Sequence, residues 1–287
     1  MDDPLVSRIR AAADAAAASD LPFETALPGF TLVRARRPTT FEGILYEPLA
    51  CIVLQGRKEA MLGDRPIGFG AGQSLIVSLD MPSAWRVREA SPERPYVAVA
   101  LRLDMDVLRG LDVDVPTGAG AGGAIAAGPS DAAIRDVAGR MVTLLDAPED
   151  RPTLWPMLVR ELHYRLLRSP HGAMLRALAR RDSPASRIAR VTARLRRDFR
   201  ERIVVAELAA VAGMSASTFH EHFRAVTATT PLQFAKALHL IEARRLLGSG
   251  APVAHAAFDV GYESPAQFSR DYSRRFGRPP RADRAAA

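Results

Sequence analysis

Two stretches near the C-terminal end of the chain carry polar and basic side chains on one face of a predicted helix. The opposite face of each holds an aromatic pair at i, i+4 spacing, Phe219 with Phe223 and Phe268 with Tyr272, which indicates the buried side. The outward faces present Ser217, Thr218, His220, Glu221 and Arg224 in the first stretch, and Ala266, Gln267, Ser269, Arg270 and Arg274 in the second. A helix with such an outward face is suited to enter the major groove of DNA.

Short segments before these two helices repeat the same design. An Ala-rich helix precedes each one and ends at a glycine, Gly213 in the first copy and Gly261 in the second. Glycine adopts the left-handed conformation that terminates a helix at no steric cost. Ser215 and Ser264 then supply N-caps, and Pro265 occupies the first turn, where its missing N–H is no loss. The glycines lie 48 positions apart, and the repeat predicts a tandem helix-turn-helix.

A longer helix is predicted between the two units. It begins at Pro231, after the N-cap Thr230, and runs to Leu247, where a Gly-Ser-Gly segment ends it. At about 1.5 Å per residue it spans roughly 25 Å. With the width of the units added, this length suits two helices that enter successive major grooves about 34 Å apart.

Basic charge is concentrated in the same part of the chain. The 287 residues carry a formal charge of +7, and residues 183–287 alone hold 17 Lys and Arg against 9 Asp and Glu. The other 182 residues hold 22 basic and 23 acidic groups. Genomic base composition can explain the preference for Arg over Lys, but it does not explain this segregation. The pattern is typical of a domain that binds a polyanion.

The second unit resembles the signature of the AraC/XylS family of bacterial transcription regulators. The resemblance rests on GYESPAQFSR at 261–270 and FGRPP at 276–280, together with the upstream copy, and it covers about residues 184–282. It implies two helix-turn-helix units joined by a long helix, with both recognition helices on one face of the DNA. The function it implies is a sequence-specific regulator that recruits or positions RNA polymerase.

Matching the motif of this family position by position implies a set of DNA contacts. Base contacts fall to Ser217, His220 and Glu221 in the first recognition helix, and to Ala266, Gln267 and Arg270 in the second. Arg270 can bond bidentately to guanine, and Gln267 suits adenine. Glu221 either accepts from cytosine or keeps the helix soluble, and His220 reads either a base or a phosphate. Phosphate contacts, which set affinity rather than sequence, are assigned to Arg194, Arg224, Arg274 and Arg275.

The N-terminal half of the chain shows frequent turn residues and a period near two. Strands are predicted at 31–35, 50–55, 58–62, 74–79, 85–88 and 96–103. Many short strands at such spacing suggest a sandwich or barrel, and a small barrel with glycines at its corners fits.

The runs YEP at 46–48, CIVLQGRK at 51–58 and VSLDMP at 77–82 resemble the cupin-type N-terminal domain of one subgroup of AraC-type regulators, over about residues 20–160. The resemblance implies a sensing domain that holds a small-molecule effector. Alternation suggests Cys51, Val53, Ile76 and Trp85 as lining residues.

Helices are predicted on both sides of these strands, at residues 5–18, Pro129–Asp146 and Leu154–Leu167. A glycine-rich run at 117–123 predicts a flexible loop before the last two. That pair either packs on the barrel or mediates homodimer contacts, and the family resemblance favours the dimer. The expected fold is therefore α+β. A cupin-like β-barrel with flanking helices occupies 1–180 (barrel about 20–105, helices about 129–180), and an all-α tandem helix-turn-helix domain occupies 184–282.

Three alternatives compete with an effector-responsive regulator. A cupin-type enzyme would require clustered ligands, but all six histidines lie beyond the predicted barrel, so neither a metal, a cofactor nor an enzymatic activity is expected. A regulator without an effector would have a barrel filled by its own side chains and used for dimerisation. In the third alternative, Cys51 senses electrophiles or oxidants, although a cysteine in an apolar run is more often a core residue.

The cellular compartment is predicted from what the chain contains. A single cysteine, Cys51, allows no internal disulfide, and the N-terminal residues lack the pattern of a signal peptide. No apolar run approaches the ~18 residues of a membrane span. A cytoplasmic protein without membrane contact is expected, with double-stranded DNA and RNA polymerase as partners.

Overall fold

A computed structural model describes residues 3–15, 20, 22–113, 123–201 and 203–284. Its described strands form two antiparallel sheets that pack face to face. Sheet A has the order β1 (Phe23–Glu24), β2 (Phe30–Ala35), β9 (Tyr96–Arg102), β4 (Leu49–Gln55), β7 (Gln73–Val77), β10 (Ile125–Pro129). Sheet B has the order β3 (Glu42–Tyr46), β8 (Met81–Glu89), β5 (Arg57–Leu62), β6 (Arg65–Gly70). The α+β prediction is confirmed, and the β fold is compatible with a cupin-like domain.

The expected closed barrel is replaced by a sandwich of these two sheets. Within the described residues, no ladder of hydrogen bonds joins the edge strands of sheet A to those of sheet B. The chain passes from β4 in one sheet to β5 in the other at Gly56, whose φ is 79°. A Cβ at this position would lie 2.5 Å from the carbonyl oxygen of Glu89. Glycine at this corner therefore lets the chain turn sharply between sheets.

Both faces of sheet A are buried, and alternation assigns each residue to one of them. Cys51, Val53 and Leu75 point between the two sheets. Ile52 and Ile76 point to the opposite face, where helices cover them. Burial on both faces explains why these strands read as continuous apolar runs.

The helices of the N-terminal half cover this second face of sheet A. They are α1 (Pro4–Ala15), α2 (Met105–Arg109), α3 (Ala132–Thr143), α4 (Arg151–Arg168) and α5 (Gly172–Ala179). The two helices predicted after the strands correspond to α3 and α4. Helix α2 and strand β10 lie on either side of the predicted glycine-rich loop at 117–123, of which only Gly123 is among the described residues. The sequence reading missed β3, β6, β10 and α5 as separate elements.

The C-terminal part is entirely helical. It contains α6 (Pro184–Arg197), α7 (Val205–Ala212), α8 (Ala216–Thr227), α9 (Pro231–Gly248), α10 (Val253–Asp259), α11 (Pro265–Phe276) and α12 (Pro280–Arg284). The predicted connecting helix is α9, and it ends within one residue of the expected position. Its capping box is complete: the Thr230 hydroxyl accepts from the amide of Gln233, and the Gln233 side chain accepts from the amide of Thr230.

The C-terminal helices pack directly on the sandwich. The Arg196 guanidinium of α6 donates to Asp80, at 2.6 Å, and to Glu47. The Ala124 amide donates to the Val226 carbonyl at the end of α8, at 2.6 Å. One apolar cluster runs from the inner faces of the two sheets into α6, α7, α8 and α9. The first helix-turn-helix unit and the sandwich therefore share a continuous core.

Candidate nucleic-acid interface and effector site

The first helix-turn-helix unit consists of α7, a glycine turn and α8. Helix α7 ends at Gly213, whose φ of 61° is left-handed, as predicted. Helix α8 begins after Ser215, whose hydroxyl accepts from the amide of Thr218 at 3.3 Å. Phe219 and Phe223 are fully buried, with ring centroids 5.5 Å apart. These contacts fix the rotation of α8 about its axis.

That rotation leaves the predicted base-contacting residues of α8 in solvent. Ser217, His220 and Glu221 are all exposed, and Arg224 is exposed on the turn that follows. The described structure therefore presents this set of side chains on one open face.

The second unit repeats the geometry with α10 and α11. Gly261 has a φ of 85°, and the Ser264 hydroxyl accepts from the amide of Gln267 at 3.4 Å. Phe268 and Tyr272 are fully buried, with ring centroids 5.4 Å apart. The predicted base-contacting residues Ala266, Gln267 and Arg270 are exposed. Both units therefore combine a buried aromatic pair with an open polar face.

The four arginines predicted to contact phosphate occupy different environments. Arg194 lies 3.4 Å from Glu207 and 3.7 Å from Asp198, and it is half-buried. Arg224 is exposed. Arg274 is exposed and donates to Asp271 at 2.7 Å.

Arg275 is exposed as well. It lines a cleft of about 540 Å³ between α9, α11 and sheet B, in which Asp64 of the sandwich also takes part. At 3.6 residues per turn it is rotated about 140° around α11 from Arg270. Its side chain is exposed at the cleft that α11 forms with the sandwich, a position that sequence matching alone did not indicate.

Three of the four predicted effector-site residues come together between the sheets. Cys51, Val53 and Trp85 belong to the buried cluster between the two sheets. Ile76 does not join them, because it lies on the opposite face of sheet A among residues that contact α3 and α4. Alternation separates the two faces of a strand, but the sequence could not show which face of an all-apolar strand points inward.

Burial also defines the chemistry of Cys51. It is a free thiol, and burial raises its pKa, with the Lys58 ammonium acting weakly in the opposite direction. Its sulfur lies 3.9 Å from the Tyr96 hydroxyl. A buried thiol with a raised pKa forms little thiolate, which disfavours the electrophile-sensing alternative.

Three polar residues near Cys51 were missed by the sequence reading. Tyr46, Lys58 and Tyr96 are buried between the sheets, and the Lys58 ammonium lies 3.9 Å from the centroid of the Trp85 ring. The sequence pattern that could have identified Lys58 as buried lies in β5, where Lys58 and Ala60 share the inward face and Glu59 points away. Burial lowers the pKa of Lys58. The sandwich therefore contains a polar centre within an apolar core.

Two further findings concern metal binding and membrane insertion. Within the described residues, no group of three or more His, Cys, Asp or Glu side chains is arranged to hold a metal ion. None of the helices in that part of the chain combines the length and apolar character that a membrane span requires.

A β-sandwich joined to two helix-turn-helix units with open polar faces defines a DNA-binding protein with an attached second domain. Residues 26–174 match the model of the AraC-type transcriptional regulator N-terminus, and residues 208–286 match a helix-turn-helix domain. The chain therefore belongs to the AraC/XylS family of transcription regulators, and it is a sequence-specific DNA-binding regulator of transcription.

Solved structures of similar fold include ToxT from Vibrio cholerae strain SCE256 with an unsaturated fatty acid bound. That structure is 11% identical, with a TM-score of 0.59 over 90% of this chain and 95% of ToxT. The DNA-binding domain of AdpA, in complex with a target DNA, is 35% identical over 34% of this chain and 90% of its own, with a TM-score of 0.33. A probable AraC family regulator from Rhodopseudomonas palustris CGA009 is 28% identical over 36% of this chain and 97% of its own, with a TM-score of 0.34. Among curated proteins, none matches the chain.

Proposed function

We propose that α8 and α11 enter successive major grooves and read base pairs through Ser217, His220, Glu221, Ala266, Gln267 and Arg270. The observation that carries this proposal is the shared geometry of the two units. In each, a buried aromatic pair fixes the helix so that its polar face is open to solvent. Arg270 is assigned to guanine and Gln267 to adenine, because their side chains can make two hydrogen bonds to those bases.

The contacts to the DNA backbone are assigned from the exposure and the partners of each arginine. Arg224 and Arg274 are exposed near the polar faces and can reach phosphates directly. Arg194 would exchange its carboxylate partners, Glu207 and Asp198, for a phosphate. Arg275 is exposed but shares the lining of the cleft with Asp64, so a phosphate would compete with that carboxylate for it.

We further propose a division of labour along the chain, with sensing in residues 1–180 and DNA binding in 184–282. ToxT, whose fold is similar, was solved with an unsaturated fatty acid bound, which supports a small-molecule effector for this chain. The buried polar centre around Cys51 and Lys58 gives a ligand groups to bind. Because the first unit shares its core with the sandwich, an occupied site would change the equilibrium between DNA-competent and other arrangements.

A second copy of the chain and RNA polymerase are the other proposed partners. A groove of about 720 Å³ along α3 and α4 exposes Leu154 and Met157, the latter to 62%, and a second copy of the chain would cover it. RNA polymerase is the proposed target of the DNA-bound protein. The protein acts by binding rather than by catalysis, and it works in the cytoplasm, where the chromosome is.

The experiment is a binding titration of the full-length protein with the intergenic DNA upstream of its own gene. Unrelated DNA serves as competitor, and several salt concentrations are used. We expect a complex that survives competition and weakens steeply with salt. A complex that the competitor removes entirely, with and without an effector panel, would contradict sequence-specific binding by this chain.

A further inference from the structure

The inner faces of the two sheets enclose a cluster of polar side chains in an otherwise apolar core. It is formed by Tyr46 of β3, Cys51 of β4, Lys58 of β5, Trp85 of β8 and Tyr96 of β9. Four different connections of the chain are needed to bring these strands together. The cluster therefore belongs to the tertiary fold and to no local motif.

Lys58 has no counter-charge within this cluster. Its side chain is 6% exposed, and its ammonium lies over the rings of Trp85, at 3.9 Å, and Tyr96, at 5.9 Å, measured to the centroids. Glu42 is close enough to raise the pKa of Lys58, but among the described residues no carboxylate forms a salt bridge with it. An ammonium buried without a partner opposes folding, which is a cost that a binding site would explain.

Tyr46 provides a second group without a partner. Its hydroxyl is buried and, within the described residues, makes no hydrogen bond. A buried tyrosine hydroxyl normally finds one. The Tyr96 hydroxyl instead lies 3.9 Å from the Cys51 sulfur. The cluster therefore offers an ammonium and a hydroxyl as donors and lacks a strong acceptor.

The chemistry that complements these groups is a single negative charge on an apolar body. A carboxylate supplies the missing acceptor oxygens and neutralises one ammonium. A phosphate dianion fits less well, because Lys58 is the one cation that reaches the cluster from the described strands. A cationic ligand is disfavoured, because the Trp85 ring already faces Lys58.

We propose that the polar cluster between the two sheets binds a small organic carboxylate, with its anion on Lys58 and the Tyr46 hydroxyl and its apolar body against Trp85 and Tyr96. This inference rests on the proposed function, in which the sandwich holds the effector, and it adds the chemical class of the ligand. It also gives Lys58 a binding role in place of an unexplained cost in stability.

The lysine content of the chain makes a direct test possible. Lys58 and Lys236 are its two lysines, and Lys236 pairs with Asp271 at 2.7 Å in the C-terminal part. In Lys236→Arg protein with ¹³C-labelled lysine, the Cε–Hε signal therefore reports on Lys58 alone. The probes are benzoate and octanoate, each compared with its neutral amide, benzamide or octanamide.

We expect at least one carboxylate to shift the Lys58 Cε–Hε signal at fixed pH, while its neutral amide does not. Glu42 and Cys51 act electrostatically on Lys58, the Tyr96 ring lies under its ammonium, and Tyr46 lies beside Cys51 and Tyr96, so the shift is followed at fixed pH. Binding to Lys58→Met should be about 10- to 100-fold weaker than to wild type, whereas Lys236→Arg should bind as wild type does.

Lys58→Met should also fold well, because it removes a buried charge, and its Tm without ligand should be higher than that of wild type. Loss of binding in a more stable protein cannot be attributed to unfolding. Failure of both carboxylates to shift the signal, or equal binding by Lys58→Met, would overturn the proposal.

The test separates this inference from the proposed function. If an uncharged effector changes operator binding and Lys58→Met responds normally, the effector function stands and the carboxylate assignment fails. If a carboxylate binds at Lys58 without changing operator affinity, the site stands and its regulatory role fails.

Discussion

The first helix-turn-helix unit shares its buried core with the β-sandwich, whereas the second has a core of its own. Leu208, Phe219 and Phe223 lie in the cluster that extends between the sheets. Phe268 and Tyr272 lie in a separate, smaller cluster with residues of α9. The two units have the same caps, turns and aromatic spacing, so the difference arises from where each one packs.

This difference in packing predicts that the two units have different roles in regulation. A change between the sheets can reach α8 through packed side chains and through the hydrogen bond from Ala124 to Val226. The second unit touches the sandwich mainly where the Phe276 ring rests on Gly43. We therefore expect the first unit to respond to the state of the sandwich and the second to act more independently.

The largest effect is expected from removing one aromatic side chain of each unit. Phe223→Ala and Phe268→Ala should each cost about 3–5 kcal/mol in the stability of the region that they support. Both tryptophans, Trp85 and Trp155, lie within residues 1–180 and report on the unfolding of that part of the chain.

In urea, Phe223→Ala should lower the midpoints of both the tryptophan fluorescence and the far-UV circular dichroism transitions. Phe268→Ala should lower the dichroism midpoint and leave the fluorescence midpoint near that of wild type. Equal shifts of the fluorescence midpoint in the two variants would show that the second unit is as strongly coupled as the first.

A smaller effect is expected from the exposed face of the second unit. Arg270→Ala should lose about 1–3 kcal/mol of operator binding and relax discrimination at one base pair, because a bidentate contact to guanine is lost. Fluorescence anisotropy with the mapped operator and its single-base-pair variants measures both quantities. Ser217→Ala is the matched variant in α8, and its loss should be smaller. Intact binding by Arg270→Ala would rule out this orientation of α11.

The contact between the second unit and the sandwich is tested at Gly43. A Cβ there would lie 2.6 Å from Cε1 of Phe276, so Gly43→Ala should cost about 1–3 kcal/mol as the ring is displaced. Gly68→Ala is the control on the same sheet, where a Cβ meets nothing closer than 3.7 Å.

Hydrogen exchange of backbone amides compares the Gly43→Ala and Gly68→Ala variants. We expect faster exchange in α11 of Gly43→Ala, with α8 unchanged, and wild-type rates in Gly68→Ala. Faster exchange in α8 as well would mean that the two units do not dock independently.

The smallest effect is expected from Arg274, whose predicted contact is a phosphate. Arg274→Ala should weaken binding to all sequences alike and reduce the slope of log K against log salt by about 1. Arg275→Ala provides the comparison, because its side chain faces Asp64 in the cleft and should leave the slope unchanged. Reduced slopes in both variants would show that Arg275 contacts phosphate as well.

Local chemistry explains which elements could be predicted. Ser215, Ser264 and Thr230 act as N-caps in the structure because a cap depends only on the amides of the next three residues. The missed strand β6 contains Pro66 and two glycines, which disfavour a strand in isolation. It forms because it lies at the edge of sheet B, paired with β5, where a proline is tolerated.

The sequence by itself determined the two helix-turn-helix units, the helix between them and a β-rich domain before them. Residue type and short spacing decide caps, turns and the buried side of a helix, and all of these act over one or two turns. The family resemblance depended on the same short segments, which is why it could be read without coordinates.

Only the tertiary structure decided which groups meet. Ile76 and Cys51 lie on strands that are apolar on both faces, so alternation could not say which one points between the sheets. The binding role proposed for Lys58 depends on Tyr46 and Trp85, which belong to other strands and join the same cluster only in the folded protein. The two units share one local design, and their different cores follow from packing between segments far apart in the chain, a long-range property that no local pattern encodes.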